Sequence, residues 1–141
     1  MRRNIGAPGG PPQVGRPDPA VFQAMGQDNI YAMIGDFYGR LEGSSIRGLF
    51  RDDMSESIER SAAFFVGLLG GPPLYHERYG DPMLKRRHMP FRIDRAARDV
   101  WVACFEETLA DAETRYGFPP EHLEQFKEFL REFSLWMVNT E

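Results

Sequence analysis

The sequence predicts an all-α fold of five or six helices of unequal length. Three observations carry that reading: apolar residues recur at helical spacing, acidic and serine start signals precede those stripes, and glycine or proline pairs close them. Nothing reads as a hairpin or as an alternating strand of convincing length. With 141 residues, 42% hydrophobic and 13% aromatic, the chain has material for one compact core.

Residues 1–20, MRRNIGAPGGPPQVGRPDPA, hold five of the eleven prolines and four glycines with almost nothing apolar, too little to offset the entropy of ordering. Residues 1–26 are therefore expected to be a Pro/Gly-rich flexible tail and residues 27–141 the folded domain. Asp28 is placed to cap a helix whose Ile30, Met33, Ile34, Phe37, Tyr38 and Leu41 form one apolar stripe. Gly43, Ser44 and Ser45 end it, and a turn of helix from Ile46 to Phe50 is expected next. A third helix should run from about 54 to 69 and stop at Gly70, Gly71, Pro72 and Pro73. Residues 74–81 read as mostly loop. Asp81 and Pro82 read as the cap and first position of a short helix carrying His88, with Leu84 on the same face. Asp94 should cap a long helix to about Tyr116, with Ala97, Val100, Trp101, Cys104 and Phe105 on one face and Gly117 as its stop. A last helix, from Pro120 to about Val138, uses Leu123, Phe126, Leu130, Phe133 and Met137.

A net charge of −4 argues against a nucleic-acid partner, because phosphate binding needs a positive footprint. The basic cluster at 85–87 is local. No apolar run approaches the roughly 20 residues that span a bilayer, and no secretory apolar region follows the leading arginines, so a cytoplasmic, membrane-free protein is expected. The single Cys104 can neither staple the fold nor form a zinc site alone, and a small buried side chain is its simplest reading.

The stretch with chemical content is residues 80–93, GDPMLKRRHMPFRI. Asp81, Pro82 and Pro90 bracket His88 and would hold its ring in a fixed direction, as an axial metal ligand requires. An ordinary surface histidine and an acid–base catalyst are the competing readings. The catalyst lacks a motif such as G-x-S-x-G or H-E-x-x-H. A zinc site would need His76, His88, His122 and Cys104 to converge without short ligand spacings. Haem needs one strong axial donor, an apolar slot and cations for its carboxylates, and a lone histidine fits that.

FY at 37–38, LLGGPPLY at 68–75, YGDPMLKRRHMPFRID at 79–94 and ARDVWVACF at 97–105 together resemble the truncated haemoglobins, specifically group II. The resemblance covers about residues 28–138, in order and at matching spacing. It implies a truncated globin, a two-over-two helical sandwich around haem b, with the first and third helices in one layer and the two C-terminal helices in the other. It implies that His88 is the proximal iron ligand and that Tyr38 and Trp101 donate hydrogen bonds to bound O2. Phe50 matches the aromatic on the haem face, where relatives also carry Tyr or His. Lys85 and Arg87 match basic positions near the propionates, whereas Arg86 stands where methionine is common. Leu84 and Phe91 should line the proximal side. A gapless alignment places Ser57 and Ser61 over the iron, and a one-residue slip would place Ile58 and Ala62 there instead.

The function implied is reversible binding of O2, with NO and CO as further ligands, in a monomer or homodimer. Oxygen transport is the broad heading, although two distal donors suit scavenging or redox chemistry better than delivery. The rival on the same cofactor is an NO dioxygenase or peroxidase-like enzyme, which would need a separate reductase or a peroxide path. A rival of another class is a cofactor-free helical interaction module.

Overall fold

The structure, a computed structural model, describes residues 15–50, 52–81, 83, 88 and 91–140. Its α-helices are α1 (Ala20–Glu42), α2 (Ser55–Leu68), α3 (Leu74–Tyr79), α4 (Arg95–Leu109), α5 (Ala112–Tyr116) and α6 (Leu123–Met137), with short 3₁₀ turns at Arg47–Leu49 and Pro120–His122. Helix α1 packs on α2, α4 packs on α6, and α1 also meets α4. The two helix pairs thus form two layers. Among the described residues there is no strand, and no helix is long and apolar enough to cross a membrane.

The predicted stripe is the inner face of α1: Ile30, Met33, Ile34, Phe37 and Leu41 are buried, and Tyr38 is half-buried. The helix starts earlier than Asp28, however. It begins at Ala20 and turns at Gly26, whose φ of 80° is open to glycine without strain, and Val21 and Met25 are buried before that kink. The domain boundary expected between residues 26 and 27 is therefore corrected, since residues 20–26 belong to the packed unit. Residues 1–14 of the expected tail lie outside the described residues.

What docks this first turn is the Gly70–Gly71 corner after α2. A Cβ on Gly70 would lie 2.4 Å from the Pro19 Cα, and one on Gly71 would lie 2.5 Å from the Phe22 ring. The Phe22 N–H donates to the Leu69 carbonyl across the same contact at 3.0 Å. Only glycine admits so close an approach, so the pair is more than a helix stop.

Residues 74–81, expected as loop, mostly form α3, with Leu74 and Tyr75 buried. The helix is tied down by charge: Arg78 Nη1 lies 2.5 Å from Glu59 Oε2 of α2 and 3.0 Å from the Tyr31 hydroxyl of α1. Asp94 caps α4 as expected, its carboxylate accepting the Ala97 N–H at 2.7 Å, an arrangement that stabilises by about 1 kcal/mol. The helix expected to continue to Tyr116 instead breaks at Ala110 and Asp111. The short α5 that follows buries Ala112 and Tyr116, and Gly117 ends it in the left-handed conformation.

Tyr116 donates a short hydrogen bond to Asp36 of α1. Burial and that carboxylate push its phenol up to about 12. Because this value lies above the ordinary 10, the linked stability is complete below pH 10 and is lost as pH rises through about 12. Tyr116→Phe should therefore flatten the alkaline arm of a denaturation profile recorded between pH 9 and 12. An unchanged slope would show that the pair is not coupled to folding.

Candidate functional site

The two layers enclose a cavity of about 310 Å³ to which most of the fold contributes a wall, within the size range of cofactor pockets. Tyr38 enters from α1, and Ile46, Leu49 and Phe50 from the corner after it. Ser57, Arg60, Ser61, Phe64 and Phe65 come from α2, at spacings that put all five on one helical face. Tyr75 comes from α3, Ala97, Arg98 and Trp101 from α4, and Phe133, Ser134 and Met137 from α6. His88, Phe91 and Ile93 complete the lining from the segment between α3 and α4.

Seven residues predicted from the sequence thus meet in one cavity: Tyr38, Phe50, Ser57, Ser61, His88, Phe91 and Trp101. Leu84, Lys85 and Arg87 lie outside the described residues, as do Pro82, Arg86 and Pro90. Ser57 and Ser61 face the cavity, while Ala62 is fully buried and Ile58 packs on the core.

Aromatic packing orients the polar groups. Phe37, fully buried, stands edge-on to Tyr38 at 5.5 Å between ring centroids and to Trp101 at 5.3 Å, and it lies 4.1 Å from Phe105. Phe50 meets the other edge of Tyr38 at 5.9 Å. Such contacts add about 0.5–1.5 kcal/mol each beyond burial and fix ring direction. Burial pushes the Tyr38 phenol up, and a hydrogen bond with Ser61 that favours the phenolate opposes part of the rise. Tyr38 and Ser61 both line the cavity. Trp101 lines the same cavity, and its indole N–H has no acceptor among the described residues.

His88 is half-buried and helical. Asp81, its predicted cap upstream, accepts the Met83 N–H at 3.3 Å, and Met83 takes a φ of 45°, rare for a residue with a side chain. Sequence reasoning missed two cations at the cavity. Arg60 lies with Cζ 4.2 Å from the Tyr79 ring centroid and Nη2 3.7 Å from Glu56. Arg98 donates to the Ser134 hydroxyl at 3.1 Å, to the Arg131 carbonyl at 2.9 Å and to Asp99 at 3.0 Å. Each sits on a helix among other charged residues, so the only signal was its place on the same face as Ser57 and Ser61 or as Trp101.

This set of groups fits haem: one imidazole, walls that are mostly apolar, neutral donors at Tyr38 and Trp101, and guanidinium groups for carboxylates. No three His, Cys, Asp or Glu side chains converge among the described residues, so His88 brings no multi-ligand zinc set with it.

Comparison with known proteins agrees with this geometry. The family described as bacterial-like globin matches residues 20–139. Group 2 truncated hemoglobin YjbI of Bacillus subtilis (strain 168) is 33% identical over 91 residues, 64% of this chain and 69% of that protein. The chain spans 55% and 57% of the lengths of two plant relatives. Among solved structures, phosphate-bound Hell's gate globin IV superposes with a TM-score of 0.83 at 33% identity, over 91% of this chain and 79% of that one. The truncated oxygen-avid haemoglobin of Bacillus subtilis superposes with a TM-score of 0.75 at 30% identity, over 84% and 98%. The chain belongs to the bacterial-like globins and, within them, to the group II truncated haemoglobins, a family of haem proteins that bind oxygen.

Proposed function

We propose that this chain holds haem b through His88 and reversibly binds O2, with NO and CO as competing ligands, and that it retains O2 by hydrogen bonds from Tyr38 and Trp101. The observation that carries the proposal is the meeting of one histidine with Tyr38 and Trp101 in a single, mostly apolar cavity. When bound, haem supplies the iron at which a diatomic gas is held. His88 would hold that iron through its imidazole nitrogen. Tyr38 and Trp101 would donate hydrogen bonds to a gas held there, and donors to a partial negative charge slow its departure. Ser57 and Ser61 make the wall over the gas small and polar, with room for water. Arg60 and Arg98 supply counter-charges for the haem carboxylates, beside the Lys85 and Arg87 assigned that role by resemblance.

Slow release suits scavenging or redox use more than delivery, and the Bacillus subtilis relative is itself described as oxygen-avid. The test is O2 release from the ferrous protein by rapid mixing with CO, followed by autoxidation in air. Slow release with slow autoxidation supports ligand binding as the function. Rapid NO-dependent oxidation sustained by a reductase would replace that reading with the NO dioxygenase.

A further inference from the structure

We infer that Asn139 is the positioning residue of the proximal histidine, an inference that rests on reading His88 as the haem ligand. Helix α6 ends at Met137, which lines the cavity, and Val138 leaves it in an extended conformation with its side chain buried. Asn139 then turns its whole side chain onto the segment that carries His88. Nδ2 donates to the His88 carbonyl at 3.2 Å and to the Phe91 carbonyl at 2.9 Å. Oδ1 accepts the Ile93 N–H at 3.0 Å. The backbone N–H groups of Asn139 and Thr140 both donate to the Ile93 carbonyl, at 2.9 and 3.1 Å.

The chemistry of the site selects a primary amide. Two carbonyls and one N–H must be met from one side chain, and an amide offers two donors and an acceptor in one plane. Aspartate would set oxygens against the two carbonyls, and leucine would meet none of the three groups. The His88 carbonyl also accepts the Phe91 N–H at 3.0 Å, so Asn139 and Phe91 both hold the carbonyl of the histidine itself. Partners that orient a metal-binding histidine commonly act on its second ring nitrogen. Asn139 acts on the backbone. It joins the segment bearing the imidazole to α6, whose Phe133, Ser134 and Met137 form part of the cavity wall, so His88 and that wall move as one body.

The test uses the full chain loaded with haem and compares wild type with Asn139→Leu. Two quantities are read: amide hydrogen exchange at Ile93, and the iron–histidine stretching band of the ferrous, ligand-free protein together with the rate of haem loss to an apoglobin acceptor. The expected result is faster Ile93 exchange, a shifted or broadened band and haem loss faster by roughly 10- to 100-fold, with helical circular dichroism unchanged. Should N139L lose its helical signal, Asn139→Ala, which also removes both donors and the acceptor for Ile93, carries the same test with the same expected result. Faster Ile93 exchange with the wild-type band and haem-loss rate would overturn the inference, because the clamp would then be broken without consequence for the histidine. Unchanged exchange would overturn it by showing that the clamp does not form. A wild-type protein with no iron–histidine band would remove the reading of His88 itself, and the inference with it, while leaving the exchange result intact.

Discussion

Replacing Tyr38 and Trp101 together by phenylalanine is expected to speed O2 release by up to about 10³-fold, and each single replacement by roughly 10- to 100-fold. A hydrogen bond to a charged partner contributes about 1.5–3 kcal/mol, and each 1.4 kcal/mol is a factor of ten. Phenylalanine keeps a ring against Phe37 and Phe50, so the change at position 38 removes the donor with little loss of packing. Both donors lean on Phe37, and the effects should combine to less than their product. Rapid-mixing displacement of O2 by CO measures the rates. Burial raises the Tyr38 phenol above its ordinary 10, so the wild-type rate should stay flat from pH 6 to 10. Release rates that match wild type in all three variants would show that neither group touches the ligand.

The second large effect belongs to His88. If His88 holds the iron as proposed, H88G removes that nitrogen, and the other histidines offer no replacement: His76 is exposed on α3, and His122 lies at a separate groove by the N-terminal segment. Haem affinity should fall by more than the roughly 10- to 100-fold typical of losing a mere supporting partner. Millimolar free imidazole should restore both colour and the ferrous spectrum, because the cavity wall would still be in place around the vacated position. A variant that binds haem as tightly as wild type, without imidazole, would assign the iron to another ligand. The rescue separates lost ligation from lost folding.

Much of this was legible because burial writes itself into periodicity. The stripe from Ile30 to Leu41, the cap at Asp94 and the glycine pair at 70 and 71 each obey a local rule that the packed structure also obeys. The histidine could be singled out because prolines bracket it. What stayed hidden depends on contacts between distant residues. Val21 and Met25 sit behind a proline-rich stretch, and only the approach of Pro19 and Phe22 to the Gly70–Gly71 corner makes ordering them favourable. Helix α3 is too short to show a period and is held by Arg78 on Glu59 and Tyr31. The break at Ala110 and Asp111 has no glycine or proline to announce it. It serves Tyr116, whose partner Asp36 lies on α1.

The site divides the same way. Tyr38 and Trp101 are on apolar stripes and read from the residues alone as core; resemblance, not pattern, assigned them to the pocket. Ser57 and Ser61 differ from Ile58 and Ala62 by a single step of about 100° around the helix, which packing decides. Arg60 and Arg98 look like solvated charge until Tyr79, Ser134 and the Arg131 carbonyl are seen to hold them at the cavity. Asn139 carries no sequence signal at all, since its three partners lie about fifty positions away.

The most direct measurement is a haem titration of the purified chain, followed by absorption spectra of the oxidised, reduced and CO-treated forms. The account predicts one haem per chain, a ferrous form with a single protein ligand and an open coordination position, and a sharp shift when CO occupies it. A protein that keeps its helical circular dichroism yet takes up no haem, and stays colourless, would contradict it.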